Sequence, residues 1–111
     1  MRHTIPLKQN REFRSVYARG KNTAGVYLAL YARKNRLGVT RLGVTVSSKL
    51  GNAVTRNRVR RRVKEAYRLR EELFLKGFDL VVVARGKAVG ADFSALRDEL
   101  VKLGKKLGVT G

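Results

Sequence analysis

The clearest structural signal in the chain is the run Gly51-Asn52-Ala53-Val54-Thr55-Arg56-Asn57-Arg58-Val59-Arg60-Arg61-Arg62-Val63-Lys64. Asn52 is a favourable N-cap, so the run predicts a helix that begins there and continues to about Leu73. An advance of about 100° per residue places four apolar side chains on one side of this helix: Val59, Val63, Ala66 and Tyr67. Six of the nine residues from Arg56 to Lys64 are cationic and fill most of the remaining arc. The segment therefore predicts an amphipathic helix with a strongly cationic outer face.

Strand patterns lie on both sides of this helix in the sequence. Before it, the segment from Leu42 to Ser47 alternates between aliphatic residues on one face and small or polar residues on the other. After it, Phe78 to Ala84 is almost continuously apolar, which is typical of a central strand buried on both faces. A strand, a helix and a strand in this order can form a parallel crossover, and such crossovers are usually right-handed.

A third strand is predicted from Val26 to Arg33. Its alternation defines two faces. The aliphatic face holds Val26, Leu28 and Leu30, and the opposite face holds Tyr27, Ala29 and Tyr31. Residues 34–38 carry a turn signal, so this strand and the one that begins at Leu42 are predicted to pair as an antiparallel hairpin. The aliphatic face of the hairpin must be covered, whereas the opposite face can stay open and accept a flat ligand.

Two further helices are predicted near the ends of the chain. The spacing of Phe13, Val16 and Tyr17 indicates a helix from about Lys8 to Arg19, which ends at Gly20. The last helix has its cap and apolar stripe at Asp92, Phe93, Leu96, Leu100, Leu103 and Leu107. Residues 1–6 and 105–111 are expected to be mobile. The sequence thus predicts one domain over residues 1–111, an α/β (α+β) sandwich in which helices pack on a small mixed sheet in the order α-β-β-α-β-α.

Charge is distributed unevenly along the chain. The 26 Lys and Arg residues exceed the 8 Asp and Glu residues by 18. Residues 1–64 hold 17 of these cations and a single acid, Glu12, whereas residues 65–111 hold 9 cations and 7 acids. Such segregation indicates a polyanionic partner, and the predominance of Arg favours bidentate contact with phosphate. The start of the basic helix adds backbone N–H donors for a second anion contact.

Residues for catalysis are scarce. The chain has no Cys, and His3 is its only His, in a segment expected to be mobile. Adjacent carboxylates occur only at Glu71-Glu72 and Asp98-Glu99, which are interpreted as ordinary helix-surface acids. We therefore predict no catalytic residue, no metal ligand and no cofactor held by the protein itself. No apolar run resembles a signal peptide or a membrane span, so a cytoplasmic location is expected.

Aromatic residues add a possible stacking surface. Tyr31 lies on the open strand face, where a tyrosine beside Arg56 and Arg60 could stack on the bases of a single strand while the cations follow its backbone. Burial of Tyr31 in the core is the alternative. For Phe13, helical spacing alone favours a place in the core.

The run from Val46 to Arg61 closely resembles the signature of the bacterial ribonuclease P protein subunit. In that family a strand ends in Ser-Lys-Lys and is followed by Gly-Asn-Ala and an Arg-Asn-Arg helix. The segments Asn10-Arg11-Glu12-Phe13, Val16-Tyr17 and Arg19-Gly20-Lys21 are similar to the family's first helix, and Phe78 to Arg85 is similar to its late central strand. The resemblance covers nearly the whole chain in order. Two positions depart from it, because Ser48 stands where a second Lys is more common and Lys64 replaces a common Arg.

The resemblance implies a role as the small protein partner of a catalytic RNA that removes the 5′ leader from precursor transfer RNA. The RNA and its Mg²⁺ ions would supply the chemistry, so the protein alone would be inactive, and the crossover around the basic helix would be left-handed. The implied leader cleft is lined by Phe13, Tyr17, Ala29, Tyr31 and Thr45, with Arg56, Asn57 and Arg60 at its edge. The residues implied to face the ribonuclease P RNA are Lys49, Asn52, Arg58, Arg61, Arg62 and Lys64.

Three other functions compete with this one. Composition alone does not exclude a general RNA-binding or ribosome-associated protein without a processing role. A stand-alone nuclease would need the clustered carboxylates that the sequence lacks. A membrane-surface role is the weakest, because the narrow apolar side of the basic helix is needed for the core. The expected partners are ribonuclease P RNA and precursor transfer RNA, with no membrane and no obligate protein partner.

Overall fold

A computed structural model describes all 111 residues as a five-stranded mixed sheet with three α-helices. The elements are β1 (Thr4–Pro6), α1 (Asn10–Arg19), β2 (Lys21–Ala24), β3 (Leu28–Lys34), β4 (Thr40–Thr45), α2 (Ala53–Arg70), β5 (Phe78–Ala84) and α3 (Phe93–Leu107). Short 3-10 turns occupy Ser48–Leu50, Glu71–Leu73 and Gly86–Ala88. The strands lie in the order β1-β4-β5-β3-β2, in which β4 is parallel to β1 and β5, while β3 is antiparallel to β5 and β2. The predicted α+β class is confirmed.

Helix α2 forms where the basic run predicts it. The Asn52 side chain caps its start by accepting a 2.9 Å hydrogen bond from the Thr55 amide. All four residues of the predicted apolar side are buried: Val59, Val63, Ala66 and Tyr67. Helix α2 connects β4 to its parallel neighbour β5, which confirms the predicted crossover. The hand of that crossover stays a prediction.

Strand β5 occupies the centre of the sheet, as its continuous apolar sequence predicts. Its side chains alternate between two buried environments. Leu80 and Val82 belong to an 18-residue cluster formed with α2 and α3, whereas Val81 belongs to a 3-residue cluster with Leu7 and Val16. The sheet therefore has one broadly covered face and one face covered only where α1 lies. Tyr27 packs against the large cluster, so it does not share the open face predicted for it.

None of the helices combines the length and apolarity needed to cross a membrane.

The predicted hairpin is wrong. Strand β5 lies between β3 and β4, so these two strands are not neighbours. Two strands were also missed. Strand β1 pairs with β4 and β2 pairs with β3, at the two edges of the sheet. Val26 precedes β3 and is 53% exposed, so it does not belong to the aliphatic face.

Both ends of the chain are packed into the fold, and the expected mobility of the termini stays a prediction. The amides of Arg2 and His3 donate to the Glu71 carboxylate at 2.8 and 3.3 Å, and Thr4–Pro6 joins the sheet. At the other end α3 continues to Leu107, Val109 is buried, and residue 110 bridges to residue 74.

Two acids interpreted as ordinary surface residues have structural roles. Glu71 is 4% exposed, because it accepts the amides of the N-terminal segment. Glu99 accepts three backbone amides at 2.6 to 2.8 Å, from Val26, Tyr27 and Leu28. Each carboxylate thereby joins a helical segment to a part of the chain that is distant in sequence.

Candidate nucleic-acid interface

The floor of the candidate site is the sheet face that α1 only partly covers. Strand register places Thr45 opposite Val83 and Val83 opposite Ala29, so these three residues form one cross-strand row. The next row is Gly43, Val81 and Tyr31. Residues in such rows point to the same face. The structure therefore brings Ala29, Tyr31 and Thr45 to a common face, as the alternation in the sequence predicts.

Helix α1 lies across this floor and approaches it most closely at Gly43. A Cβ atom added to Gly43 would lie 2.5 Å from ring atoms of Phe13, so only glycine permits this approach. Phe13 is half-buried and packs beside the small cluster, yet it also lines the groove next to α1. Phe13 thus contributes both to the packing beneath α1 and to the lining of the groove, and its contact with a leader stays a prediction.

An open groove of about 690 Å³ runs beside α1 and reaches α2. Its lining residues are Asn10, Phe13, Arg14, Tyr17, Val44, Thr45, Val46 and Arg60. Four of them were candidates from the sequence: Phe13, Tyr17, Thr45 and Arg60. Asn10 and Arg14 were not predicted from the sequence, although each lies three residues before an aromatic candidate on the same helix and is therefore its neighbour on the helix surface. Arg14 and Arg60 place a cation on each of the two helices that contribute to the groove.

Tyr17 and Tyr31 form an aromatic pair at the groove. Their ring centroids are 4.9 Å apart with the ring planes at 85°, which is the favourable edge-to-face arrangement. The Tyr17 hydroxyl is also 2.8 Å from the Thr45 hydroxyl, which fixes the outer ring above the floor. Tyr17 is the more exposed of the two, whereas Tyr31 is half-buried. Tyr31 and Ala29 do not line the groove directly, so Tyr31 acts here as a support for Tyr17.

The three α2 residues predicted at the edge of the cleft differ in whether they line the groove. Arg60 lines the groove and donates to the Asn57 side chain at 2.8 Å, so these two residues lie together. Asn57 itself faces a neighbouring cavity of about 330 Å³, which Arg60 also lines. Arg56 lines neither cavity, and its Nε atom is buried without a hydrogen-bond partner.

The residues assigned to a catalytic RNA form a second surface. Lys49, Asn52, Arg58, Arg61 and Lys64 are exposed. No carboxylate forms an ion pair with any cation in this set. Arg62 differs, because it is half-buried and donates to the Ala91 carbonyl at 2.7 Å, which ties α2 to the start of α3.

Farther along α2 the helix carries its only ion pair, between Glu65 and Arg68. The hydrogen bond from Arg68 lowers the pKa of the Glu65 carboxyl, so this pair stays charged at neutral pH. The uncompensated positive surface therefore covers the first half of α2. Elsewhere in the structure, no group of three or more His, Asp or Glu side chains is placed to hold a metal ion.

The chain is similar to proteins of known family. The family model described as Ribonuclease P matches residues 1–108. The ribonuclease P protein component of Clostridium botulinum is 46% identical over 104 residues, which cover 93% of this chain and 94% of that protein.

Solved structures agree with this match. The ribonuclease P protein of Staphylococcus aureus superposes with a TM-score of 0.84 at 29% identity, covering 96% of this chain and 97% of that one. The ribonuclease P protein of Thermotoga maritima superposes with a TM-score of 0.83 at 34% identity, covering 91% and 96%. The chain therefore belongs to the ribonuclease P protein family, whose members take part in the 5′ maturation of transfer RNA.

Proposed function

We propose that the chain binds ribonuclease P RNA with the outer face of α2 and holds the 5′ leader of precursor transfer RNA in the groove beside α1. In this role the RNA partner and its Mg²⁺ ions carry out the cleavage, and the protein improves substrate binding. The observation that carries the proposal is the convergence of stacking, hydroxyl and cationic groups in one open groove. Residues 49–64 extend a cationic surface from that groove.

The composition of the groove suits a single RNA strand. Tyr17 is 36% exposed and presents an aromatic surface on which a base can stack. Arg14 and Arg60 can follow the phosphates on either side of that base. Stacking and phosphate contact both tolerate sequence variation, which a protein that serves many different leaders requires.

The cationic face of α2 begins at the groove, where Arg60, Arg61 and Lys64 line a common cavity, and continues around the helix to Arg58. Relative to buried Val59, Arg60 lies about 100° in one direction around the helix axis and Arg58 about 100° in the other. A strand in the groove and an RNA against Arg58 would therefore contact opposite sides of the same helix. This arrangement lets α2 contact the substrate through Arg60 and the catalytic RNA through Arg58 at the same time.

The test is an addition experiment with bacterial ribonuclease P RNA and precursor transfer RNA at a low Mg²⁺ concentration. Adding the protein should increase the cleavage rate, and the assembled complex should bind leader-bearing substrate more tightly than mature transfer RNA. Equal binding of unrelated RNAs without stimulation would instead indicate a general RNA-binding protein. Cleavage by the protein in the absence of any RNA partner would indicate a stand-alone nuclease.

A further inference from the structure

Glu12 is the only acid among the first 64 residues, and its side chain is directed into the fold. It lies in the first turn of α1, where its carboxylate accepts the Gln9 amide at 3.1 Å. The other carboxylate oxygen meets the guanidinium of Arg41 on β4. The Glu12 side chain is only 21% exposed, so this pair is partly shielded from water.

Arg41 connects Glu12 to a second carboxylate. It faces Asp79 across the β4–β5 ladder and donates to both Asp79 oxygens, at 2.8 and 2.7 Å. Asp79 is further fixed by a 2.9 Å hydrogen bond from Asn35. The guanidinium thus uses its planar fork to join the first turn of α1 to two central strands, a geometry that Lys could not reproduce.

Helix α1 has few other anchors. Its one fully buried residue, Val16, belongs to the 3-residue cluster and not to the main core. Phe13 rests on Gly43, and Ser15 accepts a hydrogen bond from Arg33. With so little apolar burial, the placement of α1 depends strongly on its polar contacts. The helix also carries the aromatic side of the groove, since Phe13 directly follows Glu12 and Tyr17 lies one further turn along.

We propose that Arg41, by bridging Glu12 and Asp79, is a positioning residue for the leader groove. It sets where α1 lies on the sheet and thereby where Phe13 and Tyr17 present their rings, without contacting RNA itself. This inference rests on the proposed function, because the effect concerns discrimination between leader-bearing and mature transfer RNA. The single acid of the basic half of the chain is accordingly part of the binding apparatus, although it opposes RNA binding electrostatically.

The decisive variant is Glu12→Gln, which keeps the shape of the side chain and removes its charge. The variant has a net charge one unit more positive, so simple electrostatics would tighten binding to any RNA. The positioning role requires the opposite result for the leader. We expect the affinity ratio of leader-bearing to mature transfer RNA to fall about fivefold in the assembled complex, while affinity for ribonuclease P RNA stays within about twofold. The matched control is Glu72→Gln, which makes the same charge change at an exposed carboxylate outside the site and should leave the ratio unchanged.

A double-mutant cycle separates positioning from a general loss of stability. Because α1 positions the rings of both Phe13 and Tyr17, Glu12→Gln should cause a smaller loss of leader discrimination when added to Tyr17→Ala than it causes alone. Additive losses would overturn the inference. The variant Arg41→Met should show the same pattern as Glu12→Gln. If Arg41→Met does not fold, Glu12→Gln still decides the question, because it leaves the Arg41–Asp79 pair intact.

The same measurements distinguish failure of this inference from failure of the proposed function. If the unmodified protein confers no preference for leader-bearing substrate, the groove assignment and the positioning role are both overturned. If the preference is present and Glu12→Gln retains it in full, only the positioning role is overturned.

Discussion

The two faces of the sheet are built in different ways. On one face, α2 and α3 enclose a cluster of 18 buried residues, 14 of which belong to three strands and these two helices. On the other face, α1 covers a cluster of only 3 buried residues and leaves a groove beside it. The first face is held by apolar burial and the second largely by hydrogen bonds and ion pairs. The comparison teaches that the main apolar core and the groove proposed for the leader lie on opposite sides of one sheet, so folding stability and leader binding can be altered separately.

The largest expected effect comes from neighbouring residues of β3 that point to opposite faces. Leu30 is fully buried under α2 and α3, so Leu30→Ala should lower the free energy of unfolding by about 3–4 kcal/mol. Tyr31→Ala should cost less than about 2 kcal/mol, because the ring is only half-buried. Denaturant unfolding of both variants measures the difference. Equal losses would mean that the two faces contribute alike to stability.

The next effect concerns the ion pairs beneath α1. The desolvation of Asp79 raises its pKa, but hydrogen bonds from Arg41 and Asn35 outweigh this, so the pKa of the carboxyl lies below its usual value of 3.8. The folded state therefore binds this proton less tightly than the unfolded state does. Its contribution to stability is complete above pH 3.8 and is lost as the pH falls through the lower pKa of the folded protein.

Replacement of that carboxylate should show the same contribution at neutral pH. Asp79→Asn should lower the free energy of unfolding by about 2–3 kcal/mol at pH 7, because it leaves part of the Arg41 guanidinium without its partner. The variant should also lose less stability than the unmodified protein when the pH is lowered from 5 toward 3. Thermal unfolding at several pH values tests this, and parallel pH profiles for the two proteins would contradict it.

The sequence predicts well the sheet face that α2 and α3 cover, because the signals for the elements of that face are local in the sequence. Asn52 followed by a 3.6-residue apolar period specifies α2, and a continuous apolar run specifies β5. Alternation also identifies which face of β3 and of β4 packs on the main core. It does not identify strand neighbours, which is why the sequence suggests a hairpin of β3 and β4 although β5 lies between them. The edge strands β1 and β2 are too short and too exposed to show a pattern.

The open face is harder to predict, because distant contacts determine it. The residue types of the groove are visible in the sequence, and the strand register confirms that Ala29, Tyr31 and Thr45 share a face. The roles of Glu12 and Glu99 are not visible, since an acid gives the same local signal whether it meets water or a partner that lies 29 to 73 residues away. The sequence could likewise not show that Tyr17 lines the groove while Tyr31, in edge-to-face contact with it, does not.

A smaller effect should come from the exposed ring of the aromatic pair. Tyr17→Ala should weaken binding of leader-bearing precursor by about 1–2 kcal/mol, since one base loses its stacking partner. Binding of mature transfer RNA and the free energy of unfolding should change little. Tyr31→Ala should weaken leader binding less than Tyr17→Ala, because Tyr31 supports the outer ring and does not line the groove. Equilibrium binding with and without the leader gives the comparison, and a larger effect of Tyr31→Ala would place the stacking base deeper in the floor.

The smallest expected effect tests whether RNA affinity depends on the position of a cation or only on the net charge of the protein. Arg61 on α2 and Lys102 on α3 are both exposed and unpaired. Arg61→Gln and Lys102→Gln therefore remove the same charge, the first from the face of α2 proposed to bind RNA and the second from a helix outside it. Arg61→Gln should weaken ribonuclease P RNA binding by less than about 1 kcal/mol and reduce the slope of log affinity against log salt by about one unit, as expected for one lost phosphate contact. Lys102→Gln should leave the slope unchanged. Equal changes in slope would mean that the RNA senses the net charge of the whole protein and that α2 has no privileged contact with it.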